Sequence, residues 1–197
     1  MNNVSIIIKD DGITRFAFND SKVKSIKFSN QLMDTSFNIN PCVIEQYAEI
    51  TIKDTDGLVF SNLNALDSYI KKYMDVEVYI NDTLFNVYLT STWEVKIQNS
   101  VVTIHCIDAT KNLENYQTQL IDVSTQTLDG LIKKAFDCTP YNYSYETSDI
   151  RELCENIHIE DTYIQYQKVY DFLNQLCLVA FVRIYWHIDK FVIARCW

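Results

Sequence analysis

Residues 47–54 carry the clearest strand pattern in the sequence, Tyr47-Ala48-Glu49-Ile50-Thr51-Ile52-Lys53-Asp54. Apolar and polar side chains alternate along this run, and successive residues of a strand point to opposite faces of a sheet. The alternation predicts a half-buried strand whose buried face carries Ala48, Ile50 and Ile52.

The same period-two pattern recurs on both sides of this strand, between residues 4 and 113. Asp10-Asp11-Gly12, Asn81-Asp82 and Asn99-Ser100 are turn signals, and each predicts a hairpin. The other predicted strands cover residues 4–8, 13–18, 23–28, 36–40, 76–80, 84–89, 93–97 and 101–107. Residues 60–73 fit either a short helix or a packed loop. Short strands at this regular spacing predict a small barrel or a sandwich.

The pattern changes to mixed helix and strand after Asp108. Thr125 is the predicted N-cap of a helix with one apolar stripe, formed by Leu128, Leu131, Ile132, Ala135 and Phe136. A second apolar stripe predicts a helix over residues 167–180. Strands are predicted around Tyr143 and Tyr145, around Ile157 and Ile159, and in a closing hairpin over residues 181–194 that turns at Asp189-Lys190.

These patterns predict a β-rich, α+β protein with two domains. Residues 1–113 form a β domain, and residues 114–197 form a smaller α+β domain with two helices and a C-terminal β-hairpin. The chain has 197 residues, of which 48% are hydrophobic, so it can bury a sizeable core.

The glycine content excludes the common nucleotide-binding motifs. Gly12, Gly57 and Gly130 are the three glycines of the chain, and they lie far apart. A glycine-rich phosphate loop needs two or three glycines within about six residues. The sequence therefore holds neither a P-loop nor a dinucleotide-binding fingerprint.

The net charge of −9 opposes binding to a phosphate backbone or to anionic lipid. Lys22, Lys24 and Lys27 are the best candidates for a basic strip, but strand alternation places Lys27 on the opposite face from the other two. We interpret them as solvated surface residues and expect no specific nucleic acid binding. The longest apolar run, residues 176–182, is far shorter than the roughly 20 residues of a membrane span, so we expect no membrane insertion.

Six cysteines are scattered along the chain without close pairs, which favours free, buried thiols. One set could be drawn as zinc ligands: Cys138, Cys154, His158 and Cys177. Structural zinc sites use cysteine pairs two to four residues apart, so this spacing is a poor fit. We predict no metal site and no cofactor.

A catalytic site cannot be assembled from the sequence either. His105 is adjacent to Cys106 in a predicted strand, and adjacent strand residues point to opposite faces, so the two cannot form a dyad. His158 and His187 have no predicted partner, and Glu160-Asp161 is typical of a solvated turn. We therefore predict no catalytic residues and no enzymatic activity.

Tyrosine is abundant, with thirteen residues. Six of them crowd the second part of the chain: Tyr141, Tyr143, Tyr145, Tyr163, Tyr166 and Tyr170. Aromatic side chains with a polar tip are enriched in protein interfaces as well as in cores. Three uses stay open, namely packing within the protein, contacts with neighbouring subunits, and a platform that stacks against sugar rings.

Several stretches together resemble a known family. In the first part these are residues 47–54, 75–80 and 84–89 and the strand 101–107 that ends in Asp108-Ala109. Together with the stretches of the second part, which are given in the next paragraph, their order resembles the first two domains of bacteriophage tail hub proteins. This central baseplate family also includes contractile injection system hubs and the N-terminal hub region of tail-associated lysins.

In the second part, Thr127-Leu128-Asp129-Gly130-Leu131-Ile132 is similar to the family's helix. Tyr170-Asp171-Phe172-Leu173-Asn174-Gln175-Leu176 and the strands of residues 182–188 and 191–193 are similar to its recurring helix and closing hairpin. The family's turn is usually Asp-x-Gly-Lys, whereas Asp189-Lys190 is shorter and lacks the glycine. The family usually continues into further domains, so the resemblance fits either a compact hub or a fragment of one.

The resemblance implies a structural virion protein of the tail or baseplate, made in the cytoplasm of the bacterial host. It implies a homotrimeric ring with two barrel-like domains per subunit, the first formed by residues 1–113. Such a ring joins the tail tube to the tail tip or spike and encloses a channel for DNA. The implied partners are other copies of the chain, the tail tube or distal tail protein, the tape measure protein, and the tail tip or spike protein.

Two other functions stay open at this point. The first is a carbohydrate-binding module of a tail tip that contacts the host cell wall, for which exposed Tyr or Trp platforms would be required. The second is a fragment of a peptidoglycan hydrolase, for which a cell-wall release assay would be positive.

Overall fold

The computed structural model describes residues 3–30, 42–53, 72–96, 100–119, 121–122, 126–159, 163–164 and 166–196. These residues form two compact units. The first unit contains the described residues of 3–29 and 46–108, and the second contains Asn30, residues 42–45 and the described residues from Ala109 onward. Two predicted segments, the strand 36–40 and all but the last two residues of 60–73, lie outside the described residues.

The elements are described here in chain order. The strands are β1 (Val4–Asp10), β2 (Ile13–Phe18), β3 (Val23–Asn30), β4 (Val43–Ile44), β5 (Gln46–Lys53), β6 (Asp75–Ile80), β7 (Thr83–Lys96), β8 (Val101–Ile107), β9 (Ile121–Asp122), β10 (Asn142–Tyr145), β11 (Tyr163–Ile164), β12 (Val182–His187) and β13 (Lys190–Arg195). The helices are a 3-10 helix (Ala109–Asn115), α1 (Leu128–Asp137), α2 (Ser148–Asn156) and α3 (Val169–Ala180).

The first unit is a seven-stranded sheet with the strand order β2-β1-β6-β7-β8-β5-β3. In β5, Ala48, Ile50 and Ile52 are buried, as the alternation predicts. The corresponding residues of β1, β6 and β8 complete the same apolar face: Ile6, Ile8, Val76, Val78, Val102, Ile104 and Cys106. Burial of this face is the main stabilising term of the first unit.

Two predicted hairpin turns are confirmed. Asp11 and Gly12 connect β1 to β2 with φ of 51° and 77°, and Asn81 and Asp82 connect β6 to β7 with φ of 51° and 61°. Positive φ at both central residues matches the twist of the flanking strands, which is why Asp, Asn and Gly occur there. Asn99, part of the third predicted turn, lies outside the described residues.

The segments 84–89 and 93–97, predicted as two strands, belong to one strand as far as Lys96. β7 pairs with β6 through its first half and with β8 through its second half. Its register against β8 shifts between Thr90 and Thr92, so Ser91 is an extra residue. Such a bulge reverses the alternation of side chains, which explains why the sequence pattern breaks there.

The predicted N-terminal barrel is seen here as a large sheet. The strand order runs from β2 at one edge to β3 at the other, and no pairing between these two strands is found among the described residues. The β-rich, α+β class is confirmed, and a closed barrel is not shown.

The second unit packs helices against a four-stranded sheet with the order β10-β13-β12-β4. The stripe predicted for α1 is buried, from Leu128 to Phe136. The stripe predicted over residues 167–180 is buried in α3: Val169, Phe172, Leu173, Leu176 and Ala180. Both helices and the predicted strand at Tyr143 and Tyr145 are therefore confirmed.

Two predictions about the ends of elements are corrected. The N-cap of α1 is Thr127, whose Oγ1 accepts a hydrogen bond from the N–H of Gly130 at 3.1 Å, while Thr125 lies outside the described residues. The closing hairpin turns at Ile188 and Asp189, because Lys190 already pairs with His187. The predicted turn Asp189-Lys190 is therefore displaced by one residue.

The strand predicted at Ile157 and Ile159 is replaced by the end of a helix and an isolated bridge. Ile157 caps α2, and His158 forms a single antiparallel bridge with Thr127. Sequence analysis did not predict α2, although Ile150, Leu153, Cys154 and Ile157 follow helical spacing. No helix within the described residues is long and apolar enough to cross a membrane.

The two compact units interleave along the chain. We predict a single boundary at residue 113 from the sequence, whereas the first unit ends at Asp108 and residues 42–45 belong to the second. The physical reason is β4, which pairs in parallel with β12 through Val43 and Ile44. Its two side chains are buried in the second unit.

Candidate functional site

The six cysteines are free thiols, and burial raises the pKa of five of them. Burial raises the pKa of Cys106 to about 12 and that of Cys154 to about 11. It also raises the pKa of Cys42, Cys177 and Cys196. Because the thiolate is the reactive form, these five cysteines are poor nucleophiles near neutral pH.

The residues drawn as zinc ligands belong to different packing environments. Cys154 and Cys177 are buried in α2 and α3, and the Cys138 thiol donates to the Lys134 carbonyl oxygen at 3.3 Å. His158 is exposed. Within the described ranges, no three His, Cys, Asp or Glu side chains form a group that could hold a metal ion.

The histidines considered as catalytic partners face solvent or a carboxylate. His105 lies 3.9 Å from Glu49, on the face of β8 opposite the buried Cys106. His187 is exposed at the end of β12. Glu160-Asp161 lies outside the described residues.

The tyrosines of the second unit mostly pack within the protein. Tyr141, Tyr143, Tyr145 and Tyr170 are half-buried against its core. Tyr143 stacks on Phe136 with ring centroids 4.8 Å apart, and Tyr141 meets Phe191 edge-on at 5.6 Å. Of the six predicted, Tyr166 is 71% exposed, and the side chain of Tyr163 lies outside the description. The structure therefore favours packing over a stacking platform for most of them.

The lysines of β3 agree with the solvated interpretation. Lys24 and Lys27 are exposed, and Lys22 is half-buried in the turn before the strand. The Lys27 ammonium contacts Glu49 at 2.7 Å, which offsets its charge. These residues form no concentrated basic strip.

Each unit has an exposed apolar patch. In the first unit, Phe28 and Phe85 contact each other with ring centroids 5.0 Å apart, while 44% and 43% of their surfaces stay exposed. In the second unit, Leu178, Val179 and Phe181 are each at least half exposed at the end of α3. Clustered exposed apolar side chains of this kind are candidates for contacts with other proteins.

The second unit also contains an open cleft of about 610 Å³ beside β10. Its walls come from three elements: Asp129 and Lys133 of α1, Tyr143, Ser144 and Tyr145 of β10, and Thr147, Ser148 and Arg151 at the start of α2. The hydroxyl of Tyr145 donates to Asp129 Oδ1 at 2.6 Å and fixes one wall. We refer to these residues as the β10 cleft.

Sequence analysis missed the β10 cleft because it missed α2. The helical spacing of Ile150, Leu153, Cys154 and Ile157 was a usable signal. The position of Lys133 and Arg151 around β10, however, depends on contacts between distant parts of the chain, which a single sequence does not display.

No protein family description matches the sequence, and no curated protein matches it either. Solved structures do match. The prophage tail protein gp18 of Listeria monocytogenes EGD-e is similar with a TM-score of 0.63 and 11% identity, over 97% of this chain and 50% of that one. The 43 kDa tail protein of prophage MuSo2 from Shewanella oneidensis is similar with a TM-score of 0.58 and 14% identity, over 99% of this chain and 56% of that one.

A tail protein from Neisseria meningitidis MC58 gives a TM-score of 0.60 and 10% identity, over 96% of this chain and 50% of that one. The chain thus spans about half the length of these three tail proteins. At this level of identity the likeness concerns the fold, and it extends over both units. The chain therefore has the fold of phage tail proteins, as the resemblance to the baseplate hub family implies.

Proposed function

We propose that this chain is a structural subunit of a phage or phage-derived tail, a hub that forms a ring between the tail tube and the tail tip or spike. The observation that carries the proposal is the shared fold. The match to each of the three tail proteins covers at least 96% of the present chain. A likeness over both units fits an assembly component better than a single grafted domain would.

The surface supports an assembly role. Phe28 and Phe85 in the first unit, and Leu178, Val179 and Phe181 in the second, expose apolar area that a free monomer would leave in water. Burial of such side chains contributes about 25 cal/mol per Å² of apolar surface, so these patches favour association. We propose that both patches lie in contacts with other tail subunits.

The charge supports a channel. The net charge is −9, and a ring of such subunits repels the phosphate backbone of DNA. DNA can then pass through the lumen without binding to its wall. In this proposal the ring is a homotrimer, its contacts are purely structural, and its partners are the tube or distal tail protein, the tape measure protein and the tip or spike protein.

Light scattering over a concentration series, followed by electron microscopy, tests the proposal. We expect a closed ring of identical subunits, with a trimer of pseudo-sixfold outline as the specific result. A protein that stays monomeric at every concentration, and that binds neither tube nor tip proteins, would contradict it.

A cell-wall assay separates this function from the other two. We expect no release of cell-wall fragments and no binding to glycan arrays. Binding that is lost on replacing the exposed Tyr166 by Ala, with the half-buried Tyr170→Ala as the comparison, would instead support a carbohydrate-binding module.

A further inference from the structure

Two of the chain segments that connect the units run side by side. β4 and β5 are separated only by Glu45, and β4 pairs with β12 of the second unit while β5 pairs with β8 of the first. The 3-10 helix begins directly after Asp108, which follows β8. The boundary between the units falls after Glu45 in one segment and after Asp108 in the other. We refer to residues 44–46 and 108–110 as the paired crossings.

The antiparallel register of β5 and β8 continues through the paired crossings. Beyond the last pair of the ladder, the N–H of Asp108 donates to the Gln46 carbonyl oxygen at 3.0 Å. On the side of the second unit, the Thr110 hydroxyl donates to the Ile44 carbonyl oxygen at 3.3 Å. Both contacts join residues that the register of the ladder places opposite each other. The two segments therefore stay together before the boundary and after it.

Asp108 also holds Gln46 through its side chain. Only 1% of Asp108 is exposed, and its Oδ2 accepts the N–H of Gln46 at 3.0 Å. The side chain of Gln46 is held as well, because Asn86 Nδ2 donates to Gln46 Oε1 at 3.0 Å. A hydrogen bond to a carboxylate is stronger than one between neutral groups, and breaking it in a buried place leaves a polar group without that partner. We refer to the two contacts between Asp108 and Gln46 as the Asp108–Gln46 bonds.

The chain is fixed on the other side of the boundary too. Thr110 is fully buried, and Ile44 lies opposite Tyr185 in the parallel pairing of β4 with β12. Only Glu45 and Ala109 lie between these contacts and the Asp108–Gln46 bonds. Each segment thus has a single residue between positions that are held within the first unit and positions that are held within the second.

This arrangement leaves little freedom for a hinge. Hinge motion needs a few residues that absorb changes in φ and ψ, and domains joined by one such linker move relative to each other by default. Here a rotation at Glu45 must be matched by a rotation at Ala109, because the two segments are bonded to each other on both sides. A rotation that is not matched breaks the Asp108–Gln46 bonds or the contact of Thr110 with Ile44.

We propose that the paired crossings are a conformational switch: the two units move as one body while the Asp108–Gln46 bonds are formed, and independently once these bonds break. Breaking them frees both segments at the same time, so the switch has two states, of the kind that local opening produces. The inference goes beyond the proposed function, because it concerns a single subunit and applies with or without a ring.

Residual dipolar couplings of the full chain in a dilute liquid-crystalline medium test the coupling. Amides of β1, β6 and β8 report the alignment of the first unit, and amides of α1, α3 and β13 report that of the second. We expect one common alignment tensor for both units of the parent protein. Two clearly different tensors would show that the units move independently, and the inference would be wrong. Light scattering establishes that all samples are compared in the same oligomeric state.

Asp108→Ala tests the switch itself, with Asp108→Asn as the matched control. Alanine removes the side-chain acceptor, whereas asparagine keeps an oxygen that can accept the N–H of Gln46. We expect Asp108→Ala to speed hydrogen exchange at the Gln46 amide about tenfold or more and to give the two units different tensors. Asp108→Asn should keep slow exchange and a common tensor. Exchange at the centre of β8 should stay unchanged in both variants, which shows that the first unit remains folded.

The outcomes separate this inference from the proposed function. If Asp108→Ala exchanges faster at Gln46 but keeps a common tensor, these bonds do not couple the units and the inference is wrong. If Asp108→Ala does not fold, the parent protein decides alone: a Gln46 amide that exchanges at the rate of an unprotected amide overturns the inference, and slow exchange with a common tensor supports it. A parent protein that stays monomeric with a common tensor supports this inference while it contradicts the proposed ring.

Discussion

Single residues decide how the hairpins of this protein turn. Gly12 and the Asn81-Asp82 pair occupy left-handed backbone that these residue types tolerate. The closing hairpin instead places Ile188 at φ 60°, and the N–H of Asp189 donates to the His187 carbonyl oxygen at 2.8 Å. This hydrogen bond closes a tight turn over residues 187–189, and positive φ at its central, β-branched residue is strained. The half-buried Ile188 therefore holds an unfavourable backbone conformation in this turn.

Replacing Ile188 by Gly should stabilise the protein. Gly removes a strain of about 1–2 kcal/mol, but it costs about 0.5–1 kcal/mol of backbone entropy and the apolar contacts of the half-buried Ile188 side chain, so we expect a net gain of less than about 1 kcal/mol in the free energy of unfolding. Urea unfolding measures it. The control is Asp189→Gly, which adds the same flexibility at a residue without positive φ and should destabilise slightly. A loss of stability in Ile188→Gly as large as that in Asp189→Gly would contradict the expected relief of strain.

The Tyr145 hydroxyl should contribute to the stability of the second unit. It donates to Asp129 at 2.6 Å, and hydrogen bonds to charged groups are worth about 1.5–3 kcal/mol. We expect Tyr145→Phe to lower the free energy of unfolding by about that amount. Tyr166→Phe is the matched control, because Tyr166 is exposed and the change should have no effect. Equal unfolding curves for the two variants would contradict this account.

Helix caps distinguish two otherwise similar elements. The side chain of Thr127 caps α1 through Gly130, whereas Thr147 occupies the N-cap of α2 without a side-chain hydrogen bond to the helix. We expect Thr127→Ala to cost about 1 kcal/mol and Thr147→Ala to cost much less. Thermal unfolding of the two variants checks the difference. A larger loss from Thr147→Ala would mean that the capping geometry is reversed.

The added strand β4 should depend on one side chain of α3. Asn174 Oδ1 accepts the N–H of Val43, and this bond is partly buried. We expect Asn174→Ala to cost about 1–3 kcal/mol, because the Val43 amide is left without its partner, and to speed hydrogen exchange at that amide. Asn174→Asp keeps an acceptor and should preserve the protection. Unchanged exchange in Asn174→Ala would show that pairing with β12 alone holds β4.

At this scale the sequence predicts what is local. The alternation of β5, the stripes of α1 and α3 and the Asn81-Asp82 turn depend on residues next to one another, and all are confirmed. β4 has two residues and exists because β12 lies beside it, so no local pattern marks it. The bulge at Ser91 likewise depends on the partner strand β8. It interrupts the alternation of β7, so one long strand has the sequence pattern of two.

For the candidate surfaces, prediction from sequence reaches less far. The count of tyrosines indicates an aromatic second unit, but whether Tyr143 or Tyr166 is exposed depends on the helices that cover them. The β10 cleft likewise joins residues from three separated elements. Sequence identifies the candidate residue types, and the packing of distant elements selects which of them reach the surface.

For the whole molecule, we expect alkaline pH to destabilise the fold. Burial raises the pKa of Cys106 from 9.0 to about 12 and that of Tyr88 from 10.0 to about 12. The folded state then retains protons that the unfolded chain releases. Stability from these groups is complete below about pH 9 and is lost as the pH rises toward 12.

Urea unfolding between neutral pH and about pH 11 checks this slope. Tyr88→Phe removes one of the titrating groups, so its stability should fall less steeply above pH 10, the ordinary pKa of tyrosine. The comparison concerns the slope of stability against pH and not the absolute stability, because Tyr88→Phe also removes the hydrogen bond between the Tyr88 hydroxyl and Asn86. A parent protein whose stability does not change over this range would contradict the burial of these groups.

The interleaving of the two units has a consequence for inheritance. The chain passes from the first unit to residues 42–45 of the second, returns to the first at Gln46, and enters the second again at Ala109. A single crossover between two related genes would therefore separate β4 from β12 or divide the first sheet. Exchange of one whole unit needs three junctions at once. Recombination, which shuffles modules freely where one cut suffices, should transmit these two units together.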